Sequence, residues 1–220
     1  MTFDPILSAC ALFEGLSEAE ISKALSCMSA REARCRRGQY LLHAGDPVRT
    51  PGVVLSGEVE LFQEDFWGNR NLLTTVGAGE MFAEAFACAQ ALSPVSAVCR
   101  TDARVAYLNV LAVLFPCETV CAQHRQLTQN LIRVLAQKNI QLNEKAGYLS
   151  QRSTREKLLS YLSAQARRAG SASFRIPFDR QQLADFLSVN RSAMSAELSR
   201  MQEEGLLRVS RSTFTLLQKD

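Results

Sequence analysis

A chain of 220 residues, 47% of them hydrophobic, holds enough apolar material for two modest cores and is too hydrophobic for a disordered tail. No apolar run approaches the roughly 20 residues of a bilayer-spanning helix, and Asp4 and Pro5 stand where a secretory leader would carry basic residues, so a cytoplasmic protein without membrane contact is expected. The net charge of +3 is unevenly spread: Ser150 to Asp220 holds 12 Lys and Arg against 7 Asp and Glu, while Met1 to Leu149 holds 13 against 15, which points a polyanion to the C-terminal third.

In chain order, "FEGLSEAEISKALSCM" has helical periodicity, with Ser17 and Glu20 at capping-box spacing. From Ala33 to Leu108 short apolar runs alternate with turn signals at Gly38, Gly45-Asp46, Gly52, Gly57, Gly68-Asn69 and Gly77-Ala78-Gly79. This texture predicts a small antiparallel barrel or jelly roll, with the segments either side of Ser56-Gly57 reading as paired strands. No Gly or Pro occurs from Cys117 to Ala146, which predicts one long helix. Along it Leu135, Leu142 and Leu149 recur every seven residues, with Leu127, Leu131 and Val134 near the same face. That stripe is one half of a seam with a second copy, or it lies on the barrel of its own chain; Lys138 interrupts the repeat. A polar hinge follows, then a helix with Ser153 or Thr154 as cap and Gly170 as terminator.

Beyond it, Asp179 caps a short helix from Arg180 whose apolar side is Leu183, Ala184, Phe186 and Leu187. Ser188, Val189 and Asn190 turn the chain into a second helix, Arg191 to Glu204, with Met194, Leu198 and Met201 inward. Two helices on so short a turn predict a helix-turn-helix, whose second helix enters a DNA major groove. Its outward face presents Arg191, Ser192, Ser195, Ala196 and Ser199, with Arg200 at the distal end. Arg191 is the long base reader, able to bridge guanine O6 and N7. "GLLRVSRSTFTLL" reads as a hairpin wing with Arg208 and Arg211 suited to phosphate, and Arg180 and Asn190 at the two helix starts complete the expected DNA-facing set. A plain pair of packed helices with a solvated face is the competing reading, and the basic excess and the wing weigh against it.

Taken together, "LFEGLSEAEI", "RRGQYLLHAGD", "GVVLSGEVELF", "VGAGEMFAEA", the long helix and "LADFLSVNRSAMSAELSRM" resemble, in order and spacing, the cyclic-AMP receptor protein and FNR (Crp-Fnr) family of bacterial transcription regulators. The resemblance covers nearly the whole chain. It implies an α+β fold: an N-terminal jelly-roll barrel that senses an effector (1–116), a dimerisation helix (117–149) and a C-terminal winged helix-turn-helix (150–220). It also implies a homodimer on near-palindromic double-stranded DNA, contact with RNA polymerase, and an effector that changes how the reading helices are presented. Familiar members carry Glu and Arg where this chain has Ser192 and Ala196, so the operator sequence is left open.

In the cyclic-nucleotide members a Gly-Glu pair and an Arg-Ser pair hold the ribose and the cyclic phosphate. The matching positions here are Ala83-Glu84 and Val95-Ser96, so the phosphate Arg is missing. A buried phosphate without that charge-assisted contact is costly, and cyclic AMP is not the expected effector. Arg100 or Arg104 could substitute, though strand alternation makes no firm case for either reaching inward. The favoured effector is a small, largely apolar organic molecule contacted by Phe82, Glu84, Phe86, Val95 and Ser96; Phe66 and Trp67 lie on a hairpin that either covers the pocket or is a plain turn. The alternative is metal or haem on Cys117, Cys121 and His124, which fall on one helical face. The simpler reading makes those cysteines core packing and His124 a surface residue. The chain's seven cysteines are scattered and odd in number, so reduced thiols are expected. No Gly-rich phosphate loop, paired-His hydrolase helix or nucleophile elbow occurs, and with two His in all, an enzyme is not expected.

Overall fold

The computed structural model describes residues 2–68, 70–114 and 122–217. The chain divides into two compact units, Met1–Gln137 and Lys138–Asp220. Among the described residues no helix is long and apolar enough to cross a membrane.

The first unit opens with two 3-10 turns, Pro5–Ala9 and Ala11–Phe13, and helix α1 (Glu18–Cys27). The capping box is formed at α1: the Ser17 N–H donates to Glu20 Oε2 at 2.9 Å. Eight strands follow: β1 (Arg31–Cys35), β2 (Tyr40–Leu42), β3 (Gly52–Ser56), β4 (Val59–Glu64), β5 (Arg70–Val76), β6 (Met81–Phe82), β7 (Ser96–Cys99) and β8 (Ala103–Tyr107). A short helix α2 (Glu84–Ala89) separates β6 from β7. The strands make two antiparallel four-stranded sheets, ordered β1-β8-β3-β6 and β2-β7-β4-β5, the two layers of a jelly roll.

One expectation needs correcting here. β3 and β4, which flank Ser56-Gly57, do not pair: β3 bonds to β8 and β6, and β4 to β7 and β5. The chain changes sheets at Gly57, whose φ is +83°. A Cβ there would stand 2.3 Å from the Asp102 carbonyl oxygen, so only glycine turns this corner. The local sequence of such a corner resembles that of a hairpin, and only the partner strands tell them apart.

A short turn of helix, α3 (Leu111–Leu114), precedes the long helix α4 (Ala122–Leu149), 28 residues in length. Leu127 and Leu131 are buried among Leu7, Leu12, Phe13, Ile21, Leu25 and Leu108, each contributing roughly 1.5–3 kcal/mol by leaving water. Asn130 joins them, its amide donating to the Leu12 and Glu14 carbonyls at 2.9 and 2.8 Å. Thus the early part of the leucine stripe lies on its own barrel, whereas Ile132, Ile140 and Leu142 are 58–67% exposed.

The second unit continues with α5 (Thr154–Ala169), β9 (Ser173–Arg175), α6 (Arg180–Phe186), α7 (Arg191–Glu203), β10 (Leu207–Ser210) and β11 (Thr213–Leu216). Ser153 and Asp179 form capping boxes with Glu156 and Gln182, and Gly170 ends α5 in the left-handed region. Leu158, Leu162, Leu183, Leu187, Met194, Leu198, Met201 and Phe214 form its core. The wing has a third strand that the sequence does not announce: β9 pairs with β11 in the order β10-β11-β9.

Candidate nucleic-acid interface and effector cavity

α6 and α7 are joined by Leu187 to Asn190, with Ser188 at φ +50°. The turn is held from below: Lys157 Nζ donates to the Leu187 carbonyl at 3.2 Å. A second brace joins α5 to α7, where the Arg155 guanidinium takes both Glu197 and Glu204. Neither basic residue stood out in the sequence, because each acts on groups 30 or more positions away.

Asn190 caps α7, its Oδ1 accepting from the Ser192 and Ala193 N–H groups at 2.9 and 3.1 Å. With Met194, Leu198 and Met201 buried, the opposite face is open, and Arg191, Ser192, Ala196, Ser199 and Arg200 are exposed on it. Ser195 is half-buried, and its carbonyl accepts from Ser199 Oγ at 3.2 Å. Arg200 leans on Glu197 at 3.5 Å. Arg191, Arg208 and Arg211 are exposed and make no ion pair among the described residues. Arg211 sits at the wing tip with φ +54°, a conformation cheaper for glycine. Arg180 is half-buried over the Phe214 ring, 5.4 Å from its centroid, and burial draws its pKa down. The structure therefore brings Arg191, Arg200, Arg208 and Arg211 to open surface and packs Arg180 against the wing.

In the first unit a cavity of about 340 Å³ is lined by Leu41, Leu42, Val48, Phe82, Ala83 and Tyr107, with Asp46, Arg49 and Thr50 as its polar contributors. Burial pushes the Tyr107 hydroxyl pKa up to about 12. Gly52 makes room for the Phe82 ring: a Cβ there would lie 2.3 Å from it. Of the five residues expected around an effector, Phe82 is in this lining. Glu84, Val95 and Ser96 are buried outside it, and Phe86 packs on the main core. Ser96 Oγ accepts from the Ala44 N–H at 3.0 Å, and Ser93 Oγ donates to the Val95 carbonyl at 2.7 Å. Arg100 pairs with Glu58 and Glu60, and Arg104 with Glu32 and Asp4, so neither reaches the cavity. Phe66 and Trp67 stand at the β4–β5 turn, 95% and 82% exposed. The cavity walls that sequence reading missed, Leu41, Val48 and Tyr107, come from separate segments whose alternating apolar residues look like ordinary core.

Cys117 and Cys121 lie outside the described residues, and among those described no group of three or more His, Cys, Asp or Glu is placed to hold a metal. His124 corrects an expectation: it is 6% exposed rather than a surface residue, with Nε2 2.9 Å from Cys27 Sγ. A helix start packed onto α1 has no solvent face at that position.

Residues 32–114 match the family model of the cyclic nucleotide-binding domain, and residues 156–220 that of the Crp-like helix-turn-helix domain. The chain is 28% identical to the cyclic AMP receptor protein of Thermus thermophilus, over 92% of its own length and 90% of the relative's. It is 26% identical to the probable transcriptional regulator flp of Lacticaseibacillus casei, over 95% and 92%. Among solved structures, the Thermus thermophilus catabolite activator protein aligns with TM-score 0.50 and 25% identity, over 94% of this chain and 93% of that one. A CooA variant from Carboxydothermus hydrogenoformans shares the fold at TM-score 0.60 and 17% identity, over 92% and 87%.

Proposed function

The chain belongs to the Crp-Fnr family of transcription regulators, and from that footing we propose that it is a cytoplasmic, non-enzymatic homodimer that reads a near-palindromic DNA site under control of a small, largely apolar organic effector. The observation that carries the DNA reading is the open face of α7, where the Asn190 cap leaves Arg191 exposed at the first helical position. From there a guanidinium reaches a guanine edge, while Arg208 and Arg211 on the wing neutralise phosphates. RNA polymerase is the partner that such a regulator would engage. The effector reading rests on the cavity beside Phe82, of a size suited to a small molecule, whose apolar walls Leu41, Leu42, Val48 and Tyr107 stand with Asp46 and Arg49, and on Val95 standing where the resemblance puts the phosphate Arg.

DNA titrations followed by fluorescence anisotropy at several salt concentrations test the first part. Arg191→Ala is expected to cost about 1–3 kcal/mol on the specific site and relax discrimination at one base pair per half-site. Arg211→Ala is expected to weaken specific and random DNA alike and to reduce the salt slope by about 1 for each chain. Equal losses on both DNAs from Arg191→Ala would make it a phosphate contact and sink the base-reading role.

A further inference from the structure

The loop between β2 and β3 forms one wall of the effector cavity, and backbone bonds pin it in place. The Gly45 N–H donates to the Ser93 carbonyl at 2.7 Å, the Ser93 N–H to the Asp46 carbonyl at 2.9 Å, and the Val48 N–H to the Ala91 carbonyl at 3.2 Å. Val48 is buried as the loop's anchor, and Arg49 and Thr50 follow it in the cavity lining. Tyr107 joins them from β8, where it stands opposite Gly52 of β3. The side chains of Arg49, Thr50 and Tyr107 have no hydrogen bond or ion pair among the described residues, so three donors line one cavity without partners. Burial keeps the Tyr107 phenol protonated, its pKa pushed up to about 12, so its hydrogen is there to give. The acidic member of the lining is already engaged: Asp46 Oδ2 accepts from the His43 N–H at 2.9 Å.

A guanidinium with a phenol and a hydroxyl, beside walls of Leu41, Val48 and Phe82, suits an anion that carries an apolar body. With Asp46 in the same lining the charge of Arg49 is balanced rather than in excess, so a second negative charge on the ligand would meet no further cation there. We propose that the effector is a small monocarboxylic acid bound as its carboxylate, which Arg49 takes with its planar fork of N–H donors while Tyr107 adds a hydrogen bond and the apolar body lies on Phe82. This rests on the effector reading of the cavity and gives the effector a chemical class. It also moves the charge contact. The anion lies against the β2–β3 loop, away from Val95, where the resemblance puts the cation for a cyclic phosphate.

Isothermal titration calorimetry of the full-length protein is the test, with the straight-chain carboxylates from butyrate to decanoate, benzoate and phenylacetate as probes and hexanamide and phenylacetamide as uncharged counterparts. The expected result is one site per chain, an acid bound about tenfold or more tightly than its amide, and a matching rise in Tm. Arg49→Gln should abolish the preference for the charged form and leave amide binding unchanged, Arg49→Lys should restore part of it, and Tyr107→Phe should weaken the acid severalfold. Arg49 is exposed on its loop, so the Arg49 variants keep the fold even if Tyr107→Phe does not, which circular dichroism checks. Amides bound as tightly as acids, or acid affinity unchanged in Arg49→Gln, would overturn the carboxylate and leave the apolar-effector reading standing. No binding by any acid or amide would overturn both. Tighter binding of L-phenylalanine than of phenylacetate would place an ammonium on Asp46, and tighter binding of cyclic AMP than of every acid would restore a nucleotide; each overturns the proposal.

Discussion

Ala83 holds a left-handed backbone, φ +62°, at the residue that opens α2, and its methyl lines the cavity. Its side chain costs strain there, since a Cβ in that region crowds the following carbonyl. The resemblance puts glycine at this position, and the structure shows Ala83 in the left-handed region that glycine adopts without strain. Ala83→Gly is therefore expected to stabilise the protein by about 0.5–1 kcal/mol, the relief of strain exceeding the entropy glycine adds to the unfolded chain. Urea unfolding measures it, and a lower midpoint would show that the methyl's packing matters more than the backbone. Gly52 is the converse case. Its backbone is ordinary, and the nearness of Phe82 is what excludes a side chain, which no local reading of "TPGVVL" reveals.

At the scale of the element, α4 carries two apolar faces with different fates. Leu127, Leu131 and Val134 are buried, and Leu135 packs on the same core. Ile132, Ala136 and Ile140, at four-residue spacing, face outward beside Asn139 and Asn143, whose side chains bond to each other at 2.8 Å. An open apolar stripe with polar residues set in it suits a self-complementary helix pair, where such residues set the register. Ile140→Asp is expected to convert a homodimer into monomers in sedimentation velocity while leaving the fold intact, because Ile140 is 58% exposed. A monomeric wild type, or a variant that stays dimeric, would refute the seam. The run without Gly or Pro marked a long helix, found as Ala122–Leu149, yet periodicity alone did not say which leucines belong to the barrel.

Across the whole molecule, burial loads the alkaline side of the stability profile. It pushes Tyr107 and Tyr161 up to about 12 and Cys99 to about 11, with Cys35 beside Cys99 adding to the effect. A group whose folded pKa is raised contributes stability in full below its unfolded value, here about 10 for tyrosine and 9 for cysteine, and loses it as pH rises through the folded value. On the acid side, Glu20 is lowered by Ser17 and Glu32 by Arg104; their contribution is present above the ordinary carboxylate range and disappears as pH falls through the lowered values. Tyrosinate absorbance followed together with circular dichroism should show Tyr107 and Tyr161 ionising late, in step with unfolding. Ionisation of all four tyrosines near 10 with the fold intact would contradict this.

What the sequence by itself determined is everything carried over three or four residues. The box at Ser17 and the cap at Asp179 lie where spacing put them, Ser153 is one of the two caps offered for α5, the inward faces of α6 and α7 follow helical period, and the turn between them is short enough to name the motif. These signals are legible because a cap or an amphipathic face is completed within its own segment. Tertiary structure alone decided that β3 and β4 enter different sheets, that Leu41, Val48, Phe82 and Tyr107 share one cavity, and that Cys27 meets His124. The physical reason is that each of these depends on which distant surface a segment packs against. Chain closure and core packing settle that for the molecule as a whole, and the residues concerned look locally like any other strand, leucine or thiol.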